Sequence, residues 1–159
     1  MTKRIGWSED KWGSLEELKI PINDRGLNYG DGIFETILIW KGRPQLLCEH
    51  LNRWAKSASE LGMTLPPKKE ELIPLINAAI ERCSIQKDDG AVRLNWSRGG
   101  NVNRGINIEK NINKHRFWLE INPITPSFKP LSTMISHHER RNANSQLNRH
   151  KTFAYGQSI

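Results

Sequence analysis

The stretch Asp24-Arg25-Gly26-Leu27-Asn28-Tyr29-Gly30-Asp31-Gly32-Ile33-Phe34-Glu35-Thr36 constrains this chain more than any other, because a glycine-rich turn runs straight into an apolar run. Three glycines in seven residues permit backbone angles that other residues avoid, and they let the main chain pass close to a ligand or to another backbone. Asp24 and Asp31 can each bond their own backbone and hold such turns. Residues 33–40 are rich in β-branched and aromatic side chains, which predicts a buried strand. A charged, glycine-rich loop fixed to the start of a central strand is a good place to build a site. The same composition equally fits a tight hairpin entry without chemistry.

Around that strand the periodicity predicts the rest of a sheet and its cover. Residues 1–14, with Trp7 and Trp12, read as an arm or an edge strand, and residues 18–22 alternate like a strand in which Pro21 suits an edge. Lys41-Gly42-Arg43-Pro44 reads as a turn and residues 45–47 as a short returning strand. Leu47, Leu51, Trp54, Ala55, Ala58 and Leu61 then recur at helical spacing, with Gly62 as the cap. Pro66-Pro67 breaks the chain before a second amphipathic helix marked by Leu72, Leu75, Ile76, Ala79, Ile80 and Cys83. In residues 91–97, Val92, Leu94 and Trp96 face one way and Arg93, Asn95 and Ser97 the other. That second face is too polar for core, so it meets water or lines a site. Residues 117–121 and 131–136 read as further strands, separated by Pro123, Pro126 and Pro130. The fold class that follows is α/β (α+β), a mainly antiparallel sheet with two helices packed on one face. Residues 137–151 form a polar run with only Ala143 and Leu147 to bury, and a stretch of that kind is functional or disordered.

Length and charge narrow the function classes. The 159 residues suit one core, and no apolar run reaches the roughly 18 residues of a membrane helix. The net charge of +7 suits a small anionic substrate. A nucleic-acid partner is disfavoured, because the basic residues between Ser136 and Thr152 have no aromatic platforms among them. Cys48 and Cys83 lie on apolar helix faces, read as buried thiols of a cytoplasmic protein, and match no metal-ligand spacing.

Three separated segments carry a family resemblance. The glycine-rich stretch of residues 24–36, Glu49-His50-Leu51-Asn52-Arg53, and His150-Lys151-Thr152-Phe153-Ala154-Tyr155 together resemble the fold-type-IV pyridoxal-phosphate enzymes, the class IV aminotransferase and aminodeoxychorismate lyase superfamily. Ser97-Arg98-Gly99 and Arg104-Gly105 between them also match family positions. The resemblance implies pyridoxal 5'-phosphate as cofactor, with Lys151 as the catalytic residue whose amine condenses with the cofactor aldehyde. It implies Arg53 on the cofactor phosphate and Tyr155 on the cofactor's phenolic oxygen. By the same resemblance Tyr29 and Phe34 wall the substrate pocket, and Arg93 and Arg98, with Arg104, are candidates for substrate carboxylates.

Ala154 departs from the asparagine that many members have there. Family members are far longer, so residues 1–148 are expected to form the N-terminal α/β domain and residues 149–159 the start of the cofactor-lysine segment of a truncated second domain. The approach to Lys151, including Arg140-Arg141 and Arg149-His150, is most similar to aminodeoxychorismate lyases of the cyanobacterial kind. The implied activity is elimination of pyruvate from 4-amino-4-deoxychorismate to leave 4-aminobenzoate, a step towards folate, in a homodimer when full length. A branched-chain or D-amino-acid aminotransferase is the alternative on this scaffold, and a non-enzymatic fragment is the alternative of another class.

Overall fold

The computed structural model describes residues 4–100, 105–108, 114–138, 140 and 142–156. Six strands form one sheet: β1 (Ile5–Ser8), β2 (Lys11–Gly13), β3 (Gly32–Trp40), β4 (Arg43–Pro44), β5 (Gly90–Ser97) and β6 (Arg116–Pro123). Their order is β2-β1-β6-β5-β3-β4, and every neighbouring pair is antiparallel. Helices α2 (Leu47–Glu60) and α3 (Lys69–Arg82) cover one face, as the periodicity predicts.

The core follows from strand parity. Ile33, Ile37 and Ile39 of β3, Val92, Leu94 and Trp96 of β5, and Leu119 and Ile121 of β6 turn towards the helices. They meet Trp54 and Ala58 of α2, Leu72, Ile76, Ala79 and Ile80 of α3, and Cys83 just after it. Burying each large aliphatic or aromatic side chain contributes about 1.5–3 kcal/mol, so this face dominates stability.

Several local expectations are corrected. Residues 25–29 form a short helix, α1 (Arg25–Tyr29), where a plain turn is expected: the Asp24 side chain caps it by accepting from the Gly26 N–H, and Gly30 closes it at φ 66°. Within the N-terminal stretch read as an arm or an edge strand, residues 5–13 supply a hairpin, β1 to β2, with Trp7 opposite Trp12. That hairpin continues the sheet beyond β6, so residues 18–22 form no strand and Ile22 stays 86% exposed. The returning strand is β4 at Arg43–Pro44, not residues 45–47, because Leu46 adopts φ 50° and turns the chain into α2. Residues 131–136 find no sheet partner and form no strand, leaving Met134 92% exposed. Cys83 is buried as expected, whereas Cys48 is exposed, with the Lys69 ammonium 3.1 Å from its sulfur.

Candidate active site

The open face and free edge of β3 assemble the side chains of interest. The Phe34 N–H donates to the Lys151 carbonyl and the Phe153 N–H donates to the Gly32 carbonyl, each at 2.9 Å, so residues 151–153 run antiparallel along the edge of β3 and bridge Ile33 to Thr152. Phe153 then turns onto the open face against Gly26 and Gly32. A Cβ on Gly32 would come within 2.2 Å of its ring, so only glycine admits it there. Trp118 packs beside it, with ring centroids 5.5 Å apart.

This docking sets Lys151 over a cationic, aromatic surface. Its Nζ lies 4.6 Å from the Phe34 ring centroid, and the Arg93 guanidinium sits 3.7 Å from the same centroid. The Tyr155 ring is 5.7 Å from that of Phe34. Among the described residues neither Lys151 nor Arg93 has a carboxylate at ion-pair distance. Arg93 donates through Nε to Asn95 Oδ1 at 2.9 Å. Burial pulls its guanidinium down from the ordinary arginine range, and the field of Glu120 across the ladder opposes this. A cavity of about 230 Å³ opens here, bounded by Leu27, Arg93, Asn95, Trp118 and Phe153. Two cations beside aromatic rings, neither with a carboxylate at ion-pair distance among the described residues, make a surface for an anionic, planar ligand.

Glu35 points to the opposite face, where it is 1% exposed. Its carboxylate accepts Arg53 Nε at 2.6 Å, Arg53 Nη2 at 2.5 Å and His50 Nδ1 at 2.8 Å. A carboxylate only accepts, so His50 carries its proton on Nδ1. The bond to Glu35 holds the Arg53 pKa up, and the Arg53 side chain still keeps 57% of its surface exposed. A ligand that touches both Lys151 and Arg53 must therefore cross the edge of β3.

The other expected site residues separate from this group. Arg98 is 7% exposed: Nε bonds Asp31 at 2.9–3.0 Å, Nη1 donates to the Gly62 carbonyl and Nη2 to the Leu61 carbonyl. It clamps the end of α2 to the glycine-rich loop with three of its five N–H donors, and it also lines a second cavity, of about 310 Å³. Tyr29 packs under the Arg25 guanidinium at 5.1 Å and lines the same cavity with Asp31, Gly32, Thr152 and Ala154. Arg104 lies outside the described residues. Asp24, wholly buried, accepts from Ser97 Oγ at 2.9 Å and Arg116 Nε at 3.3 Å and so staples the loop to β5 and β6.

Sequence reasoning passed over Glu35. The available signal is its parity: it shares the inward face of β3 with Ile33, Ile37 and Ile39, and a carboxylate at a core position requires a partner. It also passed over His150, buried beside Lys151.

Among the described residues no helix is long and apolar enough to cross a membrane, and no group of three or more side chains could hold a metal ion. The profile of the amino-transferase class IV family matches residues 32–159. A D-alanine aminotransferase of Staphylococcus aureus is 37% identical over 86 residues, which is 54% of this chain and 30% of that enzyme. The chain thus aligns with under a third of the length of the curated relatives it matches. The branched-chain amino acid aminotransferase of Escherichia coli superposes with a TM-score of 0.78 at 18% identity, covering 93% of this chain and 51% of that one. A hypothetical aminotransferase from Mycobacterium tuberculosis, in a PLP-bound form, superposes at 0.63 with 23% identity over 77% of this chain and 41% of that one.

Proposed function

The chain belongs to the amino-transferase class IV family, whose cofactor is pyridoxal phosphate, and from that premise we propose that Lys151 holds the cofactor and that the protein transfers the amino group of an amino acid. The observation that carries this reading is the Lys151 amine, fixed over Phe34 by its own strand pairing and free of any carboxylate among the described residues.

The donor set fits the cofactor's groups. Lys151 offers a primary amine for an aldehyde, the Arg53 guanidinium keeps N–H donors beyond the two given to Glu35 on a side chain exposed enough to meet a phosphate, and the Tyr155 ring stands across that of Phe34. When bound, pyridoxal phosphate supplies a carbonyl for the substrate amine and a conjugated ring that accepts the electron pair left when the α-proton departs. The Lys151 amine would serve as the base that moves that proton. Glu35 holds the Arg53 fork in place, Phe34 walls the reacting side, and Arg93 attracts the substrate carboxylate. We place Tyr29 at the margin of this pocket, on the side of Thr152 and Ala154.

The 37% identity to a D-alanine aminotransferase supports amino transfer as the first reading. Arg93 supports a second reading, the lyase that converts 4-amino-4-deoxychorismate to 4-aminobenzoate and pyruvate, because a half-buried cation over the same Phe34 ring as Lys151 suits a ring substrate with two carboxylates. A homodimer and a cytoplasmic location belong to the same proposal, supported by the family and by two free thiols.

Borohydride trapping with pyridoxal phosphate followed by peptide mapping tests the cofactor assignment, with the label expected on Lys151. A label on Lys129 would overturn it. Parallel incubations, one with D-alanine and 2-oxoglutarate and one with aminodeoxychorismate, separate the readings. Glutamate without 4-aminobenzoate supports amino transfer, and 4-aminobenzoate with pyruvate supports the lyase.

A further inference from the structure

We propose that His150 is a positioning residue that fastens the Lys151 strand to helix α2 and thereby fixes where the Lys151 amine can reach. The proposal rests on the reading that Lys151 is the reactive amine. His150 is 8% exposed although it lies in a polar stretch. Its Nδ1 is 3.1 Å from Ser57 Oγ, itself on a residue 6% exposed. Its Nε2 is 3.4 Å from the Glu60 carboxylate, an electrostatic contact without hydrogen-bond geometry. An Nε2–H facing the carboxylate leaves Nδ1 to accept from the Ser57 hydroxyl, which gives the ring a consistent set of neighbours on both sides.

The arrangement has the order of a serine, histidine and acid relay, yet Ser57 and His150 are both buried between α2 and the Lys151 segment. Its value is mechanical. His50, Arg53, Ser57 and Glu60 follow at intervals of three, four and three residues and therefore occupy one face of α2. The first two hold Glu35 of β3, and the last two hold His150. One rigid helix thus sets the position of the Arg53 fork and of the Lys151 strand together. Gln146, four residues before His150, reinforces the join by donating to the Glu60 carbonyl at 3.0 Å.

Reductive methylation with formaldehyde and cyanoborohydride reads the reach of the amine without any cofactor, with exposed Lys129 as the internal reference. In His150→Ala, loss of the anchor is expected to raise the Lys151 labelling rate about three- to ten-fold relative to Lys129. His150→Asn, whose amide oxygen can still accept from Ser57, is expected to restore most of the wild-type rate. Labelling of Lys151 at the wild-type rate in a folded His150→Ala protein overturns the proposal, and so does an Asn variant as fast as the Ala variant. If His150→Ala fails to fold by circular dichroism, Ser57→Ala decides: acceleration supports the anchor and an unchanged rate overturns it. Borohydride labelling of another lysine would remove the cofactor reading and leave this measurement intact.

Discussion

Glu35→Gln is the sharpest perturbation of the site, because it changes one charge at nearly constant volume. In the wild type a carboxylate that is 1% exposed receives two bonds from Arg53 and one from His50. The amide keeps one acceptor oxygen and turns an NH2 towards the remaining donors, so at least one charge-assisted bond is lost and a donor faces a donor. A bond to a charged group contributes about 1.5–3 kcal/mol, and leaving one partner of a buried pair behind costs about 3–5 kcal/mol. The lower part of that range applies here, since Arg53 is 57% exposed and recovers water when released. The expected destabilisation is about 2–3 kcal/mol, equivalent to about 4–12 °C in Tm for a chain of this size. Urea titration followed by tryptophan fluorescence reads it, with Trp54 on the same helix as a buried reporter. A cycle with Arg53→Met isolates the pair, with a coupling of about 1–2 kcal/mol. An unchanged midpoint and slope in Glu35→Gln would show that Glu35 is not the group that seats α2 on β3.

Three further outcomes follow from other contacts. Gly32→Ala places a methyl against the Phe153 ring and should cost about 1–3 kcal/mol, with much of the loss recovered in Gly32→Ala/Phe153→Ala; a single substitution without effect on the urea midpoint would contradict the packing of that ring. Arg93→Met removes a cation that has no ion-pair partner among the described residues, so stability should change by under about 1 kcal/mol while the KM for a dicarboxylate substrate rises at least about ten-fold; a change in stability alone would assign Arg93 to the fold. His115 has its pKa lowered by burial and then by Arg98, with Asp31 opposing, and its Nε2 accepts the Thr64 N–H. The folded state therefore prefers the neutral ring. Stability is complete above the ordinary histidine pKa and falls as the pH drops below it, until the depressed folded value is passed. His115→Phe should flatten that decline in urea midpoints measured between about pH 8 and pH 5. An equal decline in the variant would place the titration elsewhere.

The legible parts of this fold were those in which a single physical pattern governs a whole segment. β3 and β5 carry unbroken β-branched or alternating patterns, and α2 and α3 carry stripes that must meet a sheet. Where the outcome depends on a competitor distant in sequence, local pattern misleads. Residues 18–22 have strand alternation, yet the Trp7 and Trp12 hairpin already extends the sheet beside β6. The site divided in the same manner. Lys151 is legible as a motif, whereas its setting depends on a bond from Phe34, 117 residues earlier in the chain (151 − 34), which no local window contains. Arg98 shows the converse: the residue matches a family position, and only the structure reveals that it also ties two helix-end carbonyls to Asp31.

The one-sided stripe on α2 also determines which changes of chain length the protein can accept. A single residue inserted or deleted between Arg53 and Ser57 would rotate everything beyond it by about 100° around the helix axis. Ser57 and Glu60 would then swing away from His150 while His50 and Arg53 stayed on Glu35. Point substitutions on the outer face, at Lys56 for example, leave that phase untouched. Over evolutionary time this helix should therefore vary freely in composition on its solvent side while its residue count between positions 50 and 60 stays frozen. Length changes should accumulate instead in the turns on either side of it.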